Sequence, residues 1–456
     1  MKKFIFLFLV IFSFQKVKAE DHQIIVCENS LEMIQWAHKL IGHAEQSIEF
    51  SPCFFGGQLL HEMLGTIEAK LKTHPKLKVS LIMSMAFLEP SDIELVTRLQ
   101  KQYFRQFHVS FTSSVITIGQ DLVAVDNHVK MLVVDEQYFI VGGTNYDYSI
   151  CSEGTTTPKK RIKDCLIGSK LSSGARDQDV IGKGCVAKEL RYHFYLLSAL
   201  WDDYNKSKKL ASADPYFYAS KSRIWDLDET KKRPLQAFDS FQDKVSLADH
   251  HIQMILGSPT DSPNKITKAY CDLINSAEKE IWIGNLHYAP VDPIAKALMQ
   301  AVKRGVKVHV ISNGVHDNSP ESTRFISLPN RLYYIPTFYG RTFGFFDKSK
   351  CQKMPVGAVK IYEYNVFDIL YHKKVMIVDN HTFVVGSYNL GFRSDNSDHE
   401  LIMIIQNSEV AHKARTILQR DILFSREVTP QMARDWYFDP ILNYQAEVQR
   451  KLNNFF

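Results

Sequence analysis

Two histidines, two lysines and two asparagines recur in this chain at one spacing. His128 and Lys130 are followed by Asp135, Gly142, Gly143 and Asn145; His372 and Lys374 are followed by Asp379, Gly386, Ser387 and Asn389. In both copies the Lys lies two residues after the His, the Asp five after the Lys, and the Asn ten after the Asp. A lone His-x-Lys means little, but two copies in full register are hard to produce by chance. These residue types suit chemistry at a phosphodiester. Its transition state spreads negative charge over equatorial oxygens, and two lysines and two asparagines can surround that group with charge and donors. Two histidines can divide the remaining work. One attacks phosphorus and forms a covalent phosphohistidine. The other protonates the leaving alcohol, then deprotonates the incoming water or alcohol. This division requires no metal or other cofactor, and no Cys-x-x-Cys or His-x-x-x-His spacing suggests zinc ligation.

On a strand, His and Lys two apart share a face and point at the same phosphate. Asp135 and Asp379 have the opposite parity, so they face away and read as structural anchors. Gly142, Gly143 and Gly386, with Ser387, lead up to each Asn and let the backbone approach closely at a strand end. Each histidine also needs an acceptor on its second ring nitrogen to fix tautomer and orientation. Glu400 is the candidate in the second half, and Asp177 in the first, with Asp179 as its alternate.

The elements that must carry these residues repeat as well. "SLEMIQWAHKLIGHAEQSI" (30–48) and "PNKITKAYCDLINSAEKEI" (263–281) both read as a helix running into a strand. A second helix and strand follow in each half, then the His-Lys strand, then a strand ending in Gly and Asn. Helices alternating with short β-branched strands imply an α/β sandwich in each half. The expected division is 20–235 for the first lobe and 240–456 for the second, joined by a polar linker around 228–244. The helix at 190–204 is expected to close the first lobe, and 428–456 to form one or two helices packed on the body. Two segments break the symmetry. A polar insertion at 151–174 follows the first Asn and is expected near the rim of the site. The aromatics of 331–346 read as core or as an acyl-chain groove.

With 456 residues, 45% of them hydrophobic and 23% charged, the chain has material for a large core. Lys2 and Lys3, an apolar run from Phe4 to Phe14, and small residues at Val17 and Ala19 read as an export signal over 1–19. Four of the excess positive charges (Lys2, Lys3, Lys16 and Lys18) lie in that leader, so the remainder is close to neutral. It lacks the global basic field of a typical nucleic-acid binder. The cysteine count, 7, is odd and leaves at least one thiol unpaired; Cys151 and Cys165 are the preferred pair.

The doubled motif resembles the HKD motifs of the phospholipase D superfamily, and the flanking pattern extends that resemblance over nearly the whole chain after the leader. "GGTN" in the first copy and "GSYNLGFRS" in the second are similar to the cardiolipin synthase-like, bacterial phosphatidyltransferase branch, as are "GVKVHVIS" and "VKIYEYNVFDILYHKKVMIVD". The resemblance implies two pseudo-symmetric α/β/α lobes with one active site at their interface, so no homodimer is required. It implies that His128 is the nucleophile and His372 the general acid/base. Lys130, Lys374, Asn145 and Asn389 would bind the phosphate, and Asp177 and Glu400 would orient the histidines. Cardiolipin synthases usually carry N-terminal membrane helices, where this chain has a leader. The leading expectation is an exported enzyme that hydrolyses or transfers a phosphatidyl group at a membrane surface. A secreted nuclease is the alternative, with the basic run 157–163 at the rim as its nucleic-acid contact. A third is an envelope protein that binds anionic lipid without turnover.

Overall fold

Both halves begin the same way, with an asparagine cap and an amphipathic helix. In the first, Asn29 accepts from the Glu32 amide and Met33, Ala37, Leu40 and Ile41 form the buried stripe of α1 (Ser30–His43). In the second, Asn264 accepts from the Ile266 and Thr267 amides and Ile266, Tyr270 and Ile274 do the same for a helix at Lys265–Ser276. A computed structural model describes the chain except residues 1–21, 119, 149, 157–173, 229–230, 249–250, 316–326, 345–358 and 453–456. The leader, the 157–163 run and Cys165 therefore lie outside the described residues.

The first half runs β1 (His22–Cys27), α1, β2 (Ser47–Cys53), α2 (Gly57–Thr73), β3 (Lys78–Ser84), α3 (Pro90–Gln102) and β4 (Phe107–Thr112). A hairpin follows, β5 (Val115–Ile118) and β6 (Asp121–Ala124), then β7 (Asp126–Asn127), β8 (Met131–Val134), β9 (Tyr138–Gly142), β10 (Ala175–Arg176), β11 (Asp179–Lys183) and α4 (Val186–Ser207). After α5 (Gln236–Asp239) and β12 (Val245–Leu247) the second half repeats the plan with β13 (Ile252–Gly257), α6 (Lys265–Ser276), β14 (Glu280–Asn285), α7 (Asp292–Lys303), β15 (Lys307–Asn313), α8 (Arg331–Tyr339) and β16 (Val359–Tyr364). It continues through β17 (Leu370–Tyr371), β18 (Lys374–Val378), β19 (Thr382–Gly386), α9 (Phe392–Asn396), β20 (Asp398–Gln406), α10 (Ser408–Ile422) and β21 (Ser425–Val428) to α11 (Pro430–Tyr437) and α12 (Pro440–Leu452).

The duplication is plain in the sheets. The first is ordered β12-β1-β11-β9-β8-β2-β3-β4 and the second β13-β20-β19-β18-β14-β15-β16-β21, with β7 joining β20. Apart from one extra edge strand each, β12 and β21, the two orders are the same. Within each sheet the crossovers through helices give parallel neighbours, β2-β3-β4 and β14-β15-β16, and the tighter turns give antiparallel ones. Helices α1, α2 and α3 cover the outer face of the first sheet, and α6, α7 and α8 that of the second. The inner faces meet across a shared core that includes Phe194, Leu197 and Trp201 of α4 and Val410, Ala414 and Leu418 of α10. α4 reaches β13 of the second sheet and α10 reaches β1 of the first. No helix among the described residues is long and apolar enough to cross a membrane.

Two expectations about organisation need correction. The boundary does not fall at 235–240, because β12 pairs with β1, Leu247 opposite His22, and so still belongs to the first sheet. The expected linker is instead a strap fixed to the first lobe. Gln46 holds Asp228 through both backbone groups, the Leu235 amide donates to Tyr138 Oη at 2.6 Å, and Phe238 is buried against Trp36 and Tyr138. A segment that buries an aromatic and satisfies its backbone on one lobe is part of that lobe. The aromatics of α8 are core: Tyr334, Ile335 and Phe338 are buried in the outer layer of the second lobe. The tail forms two helices, α11 and α12, as read.

Candidate active site

The two lobes exchange backbone hydrogen bonds beside the histidines. β7, just before His128, pairs in parallel with the start of β20, Asp126 opposite Asp398 and Asn127 opposite His399. β17, just before His372, pairs in parallel with β10, Ala175 opposite Leu370 and Arg176 opposite Tyr371. The His128 amide then donates to His399 O at 3.0 Å, and the His372 amide to Arg176 O at 2.9 Å. Each histidine is thus set one residue from the carboxylate of the opposite lobe.

The side chains follow the backbone. His128 Nδ1 lies 2.9 and 3.1 Å from the carboxylate oxygens of Glu400. His372 Nδ1 lies 3.0 and 3.1 Å from those of Asp177. The in-lobe pairing expected from the sequence is therefore reversed: Glu400 serves His128 and Asp177 serves His372. Sequence distance within a half favours the local partner, but the cross-lobe strand pairs override it. Asp179, the alternate, is turned toward Thr144, whose amide and hydroxyl both bind it.

With Nδ1 committed, Nε2 of His128 is left for a ligand, while Nε2 of His372 faces Lys374. Lys130 Nζ folds back to His128 O at 2.8 Å and Lys374 Nζ to His372 O at 2.6 Å, the latter also 3.1 Å from His372 Nε2. The lobes touch here: a Cβ on Gly143 would stand 3.3 Å from Lys374 Cδ and 3.4 Å from His372 O. Asn145 is buried and Asn389 half-buried, and each has a buried Oδ1 with no partner among the described residues. His128 and Lys130 lie on extended chain just before β8, and Lys374 opens β18, so the strand geometry begins at the lysines.

Burial pushes His128 down to about 4; Glu400 opposes this and Lys130 adds to it. His372 is lowered by the same burial, against Asp177 and with Lys374. Lys374 is pushed down to about 7, again chiefly by burial. Burial alone would raise Glu400, but His128, Lys130 and the Ser387 hydroxyl outweigh it and hold it below the usual carboxylate range.

Asp135 and Asp379 are anchors, as expected. Asp135 accepts the Glu45, Gln46 and Ser47 amides, the Gln46 one at 2.7 Å. Asp379 accepts the Glu278, Lys279 and Glu280 amides at 2.7 to 2.9 Å. Gly142 and Gly386 owe their identity to crowding: a Cβ would meet Asp179 Oδ1 at 1.9 Å and Leu401 O at 2.2 Å respectively. Ser387 does more than its expected structural part, because its hydroxyl bonds Glu400 directly, with Ser394 on the other oxygen. Cys151 is a free buried thiol whose Sγ donates to Asn145 O at 3.4 Å, and its expected partner Cys165 lies outside the described residues.

The sequence reading missed three neighbours. His287 follows β14 and is pushed down to about 3 by burial, then by the charges of Lys374, His372, His128 and Arg393. The strand register makes Phe54 its counterpart in the first lobe, so no repeat signalled it. Arg393 binds Asp398 at 3.1 Å and reaches Asp126 at 3.5 Å. Cys53 lies against Lys130, its thiol pushed up to about 11 by burial.

One group among the described residues has metal-ligand proximity: His128, Asp398 and Glu400, with ligand atoms within 4.8 Å of one another. Its donors are engaged, Glu400 by His128, Ser387 and Ser394, and Asp398 by Arg393. The donor set does not fit a metal.

The model of the family "Cardiolipin synthase, PLD-like domain" matches residues 270–422. Cardiolipin synthase A of Pseudomonas syringae pv. syringae (strain B728a) is 24% identical over 202 residues, 44% of this chain and 36% of that protein. Cardiolipin synthase A of Pseudomonas aeruginosa (strain LESB58) is 25% identical over 182 residues, 40% of this chain and 32% of that one. The matched stretch thus spans about a third of each relative. The crystal structure of phosphatidylserine synthase from Haemophilus influenzae Rd KW20 covers 95% of both chains with a TM-score of 0.60 at 12% identity, which is a likeness of fold. The second lobe thus matches the cardiolipin synthase, PLD-like family model, and the two-lobe fold is like that of a phosphatidylserine synthase.

Proposed function

We propose that the protein is a phospholipase D-type phosphodiesterase or phosphatidyltransferase acting on phospholipids. One observation carries the reading: two His–carboxylate pairs, each formed across the lobes, with Nε2 of both rings uncommitted to a carboxylate and two buried lysines beside them. His128, neutral above about pH 4, suits the nucleophile. Its Nε2 attacks phosphorus, and the leaving alkoxide takes a proton from His372 Nε2. Substrate binding supplies that proton state. A phosphate anion offsets the charges of Lys374 and Lys130 that, with burial, hold His372 down. His372 then removes a proton from water or an acceptor alcohol as it displaces His128. Lys130, Lys374 and the amides of Asn145 and Asn389 stabilise the charge on phosphorus oxygens throughout. No step calls for a metal ion. The leader at 1–19 supports action outside the cytoplasm.

The test is product analysis by mass spectrometry, with EDTA present, on mixed phospholipid vesicles and on single-stranded DNA. Phosphatidic acid or a phosphatidyl-alcohol, absent with His128→Ala, is the expected result. Shortened DNA beside untouched lipid would replace this reading with a nuclease.

A further inference from the structure

The hairpin of β5 and β6 belongs to neither main sheet and feeds directly into the site. One of its faces is packed, with Ile116 buried and Ile118 and Val123 resting on the central core. The register sets Val115 opposite Ala124 and Thr117 opposite Leu122, so these four share the other face. That face is open: Val115 is 55% exposed, Leu122 is 77% exposed, and Ala124 is exposed as well. The hairpin is braced from beneath, the Leu210 amide donating to Thr117 O at 2.8 Å and Tyr204 Oη to Val115 O at 3.3 Å. From Ala124 the chain needs only four more residues to reach His128, about 13 Å when extended. At the base, Asp126 meets Arg393, and the adjacent Phe392 is 47% exposed.

Beside this face lies a second feature. Lys206, Lys208 and Lys209, at the end of α4 and next to Leu210, are exposed and form no ion pair among the described residues. The nearby Asp203 is already paired with Lys221 at 2.7 Å. Asp121 at the hairpin turn is the opposing charge. Single exposed leucines are ordinary. An apolar sheet face rimmed by unpaired lysines is the combination that an anionic bilayer recognises, apolar groups entering the acyl boundary and cations meeting the phosphates. Single-stranded nucleic acid would call for aromatic platforms, and the hairpin has none.

We infer that the 115–124 hairpin, with Lys206, Lys208 and Lys209, is the surface on which this protein docks to an anionic lipid bilayer. The choice of partner rests on the phospholipid reading of the site. Docking there holds the segment that leads from the hairpin to His128 close to the membrane, so a substrate lipid has a short way from the bilayer to the histidines.

The experiment is vesicle flotation of the full chain, using phosphatidylglycerol–phosphatidylcholine vesicles and pure phosphatidylcholine vesicles. Wild type, the V115D/L122D variant and the K206E/K208E/K209E variant are compared, with melting temperature as the folding control. Turnover of a short-chain, monomeric phospholipid is measured in parallel. Wild type should float with the anionic vesicles. V115D/L122D should lose about tenfold or more in partitioning while keeping its melting temperature and its turnover of monomeric substrate. The lysine variant should lose the preference for anionic over neutral vesicles. Flotation of V115D/L122D equal to wild type would overturn the inference, as would a wild type that binds single-stranded DNA and no vesicle. The two readings fail separately. Lipid turnover with unchanged flotation of the variants would sink the docking surface alone. Hairpin-dependent flotation with no lipid turnover would sink the substrate assignment alone.

Discussion

The exchange of carboxylates between lobes is the feature with the most direct chemical consequence. Because Glu400 holds His128, Glu400→Gln should leave the fold intact and lower kcat by about two orders of magnitude or more, with KM little changed. The titration of His128, followed by NMR of the histidine rings, should shift in that variant, while His372 should respond to Asp177→Asn. The opposite assignment would restore in-lobe pairing. Since Glu400 raises the His128 value, its loss should move the acid limb of activity to lower pH. In the intact protein, His128 is neutral above about 4 and Lys374 is charged below about 7. The kcat/KM profile should therefore rise as pH passes about 4 and fall as pH passes about 7, and a profile flat from about pH 6 to about pH 9 would contradict the role given to Lys374. The histidines, lysines and asparagines were legible because the repeat doubled a weak signal. The pairing was not, because it depends on strand contacts between segments about 200 residues or more apart. His287 was invisible for a related reason, since its counterpart is Phe54 and it belongs to no repeat.

Among the elements, the turn after each His-Lys strand was the best-read feature. The parity that sent Asp135 and Asp379 away from the phosphate sends them to three successive amides at the start of β2 and β14. What patterning could not reveal is the buried ionic cluster behind the site. Asp421 of α10 accepts from Lys373 Nζ at 2.6 Å, Arg176 Nε at 2.9 Å and Tyr371 Oη at 3.1 Å, and both Asp421 and Lys373 are wholly buried. Lys373 sits between His372 and Lys374 in sequence, and Arg176 precedes Asp177, so this cluster fixes both sides of one catalytic pair. Asp421→Ala leaves buried Lys373 without its counter-charge and Arg176 with Glu28 alone, and should cost about 3–5 kcal/mol in denaturant unfolding. A loss under about 1 kcal/mol would show that the cluster contributes little to holding the lobes.

For the molecule as a whole, the central layer decides how the two halves behave. Fold class and two-lobe plan were legible from the repeated helix–strand pattern. The lobe boundary was not, because a polar, Pro-containing stretch looks like a linker whether or not one aromatic, here Phe238, is buried. Since α4 and α10 share one core between the sheets and the histidines are held across it, the lobes should unfold together in one transition. Two well-separated transitions in calorimetry would contradict that coupling. The central claim is that one site, built from both lobes, performs covalent phosphodiester chemistry. It is tested most directly by trapping the intermediate: the protein with His372 intact is quenched during turnover of phospholipid and the peptides are read by mass spectrometry. The account predicts a phosphatidyl adduct on His128, absent when Glu400→Gln is added. Steady formation of product by an active protein with no adduct on either histidine would contradict it.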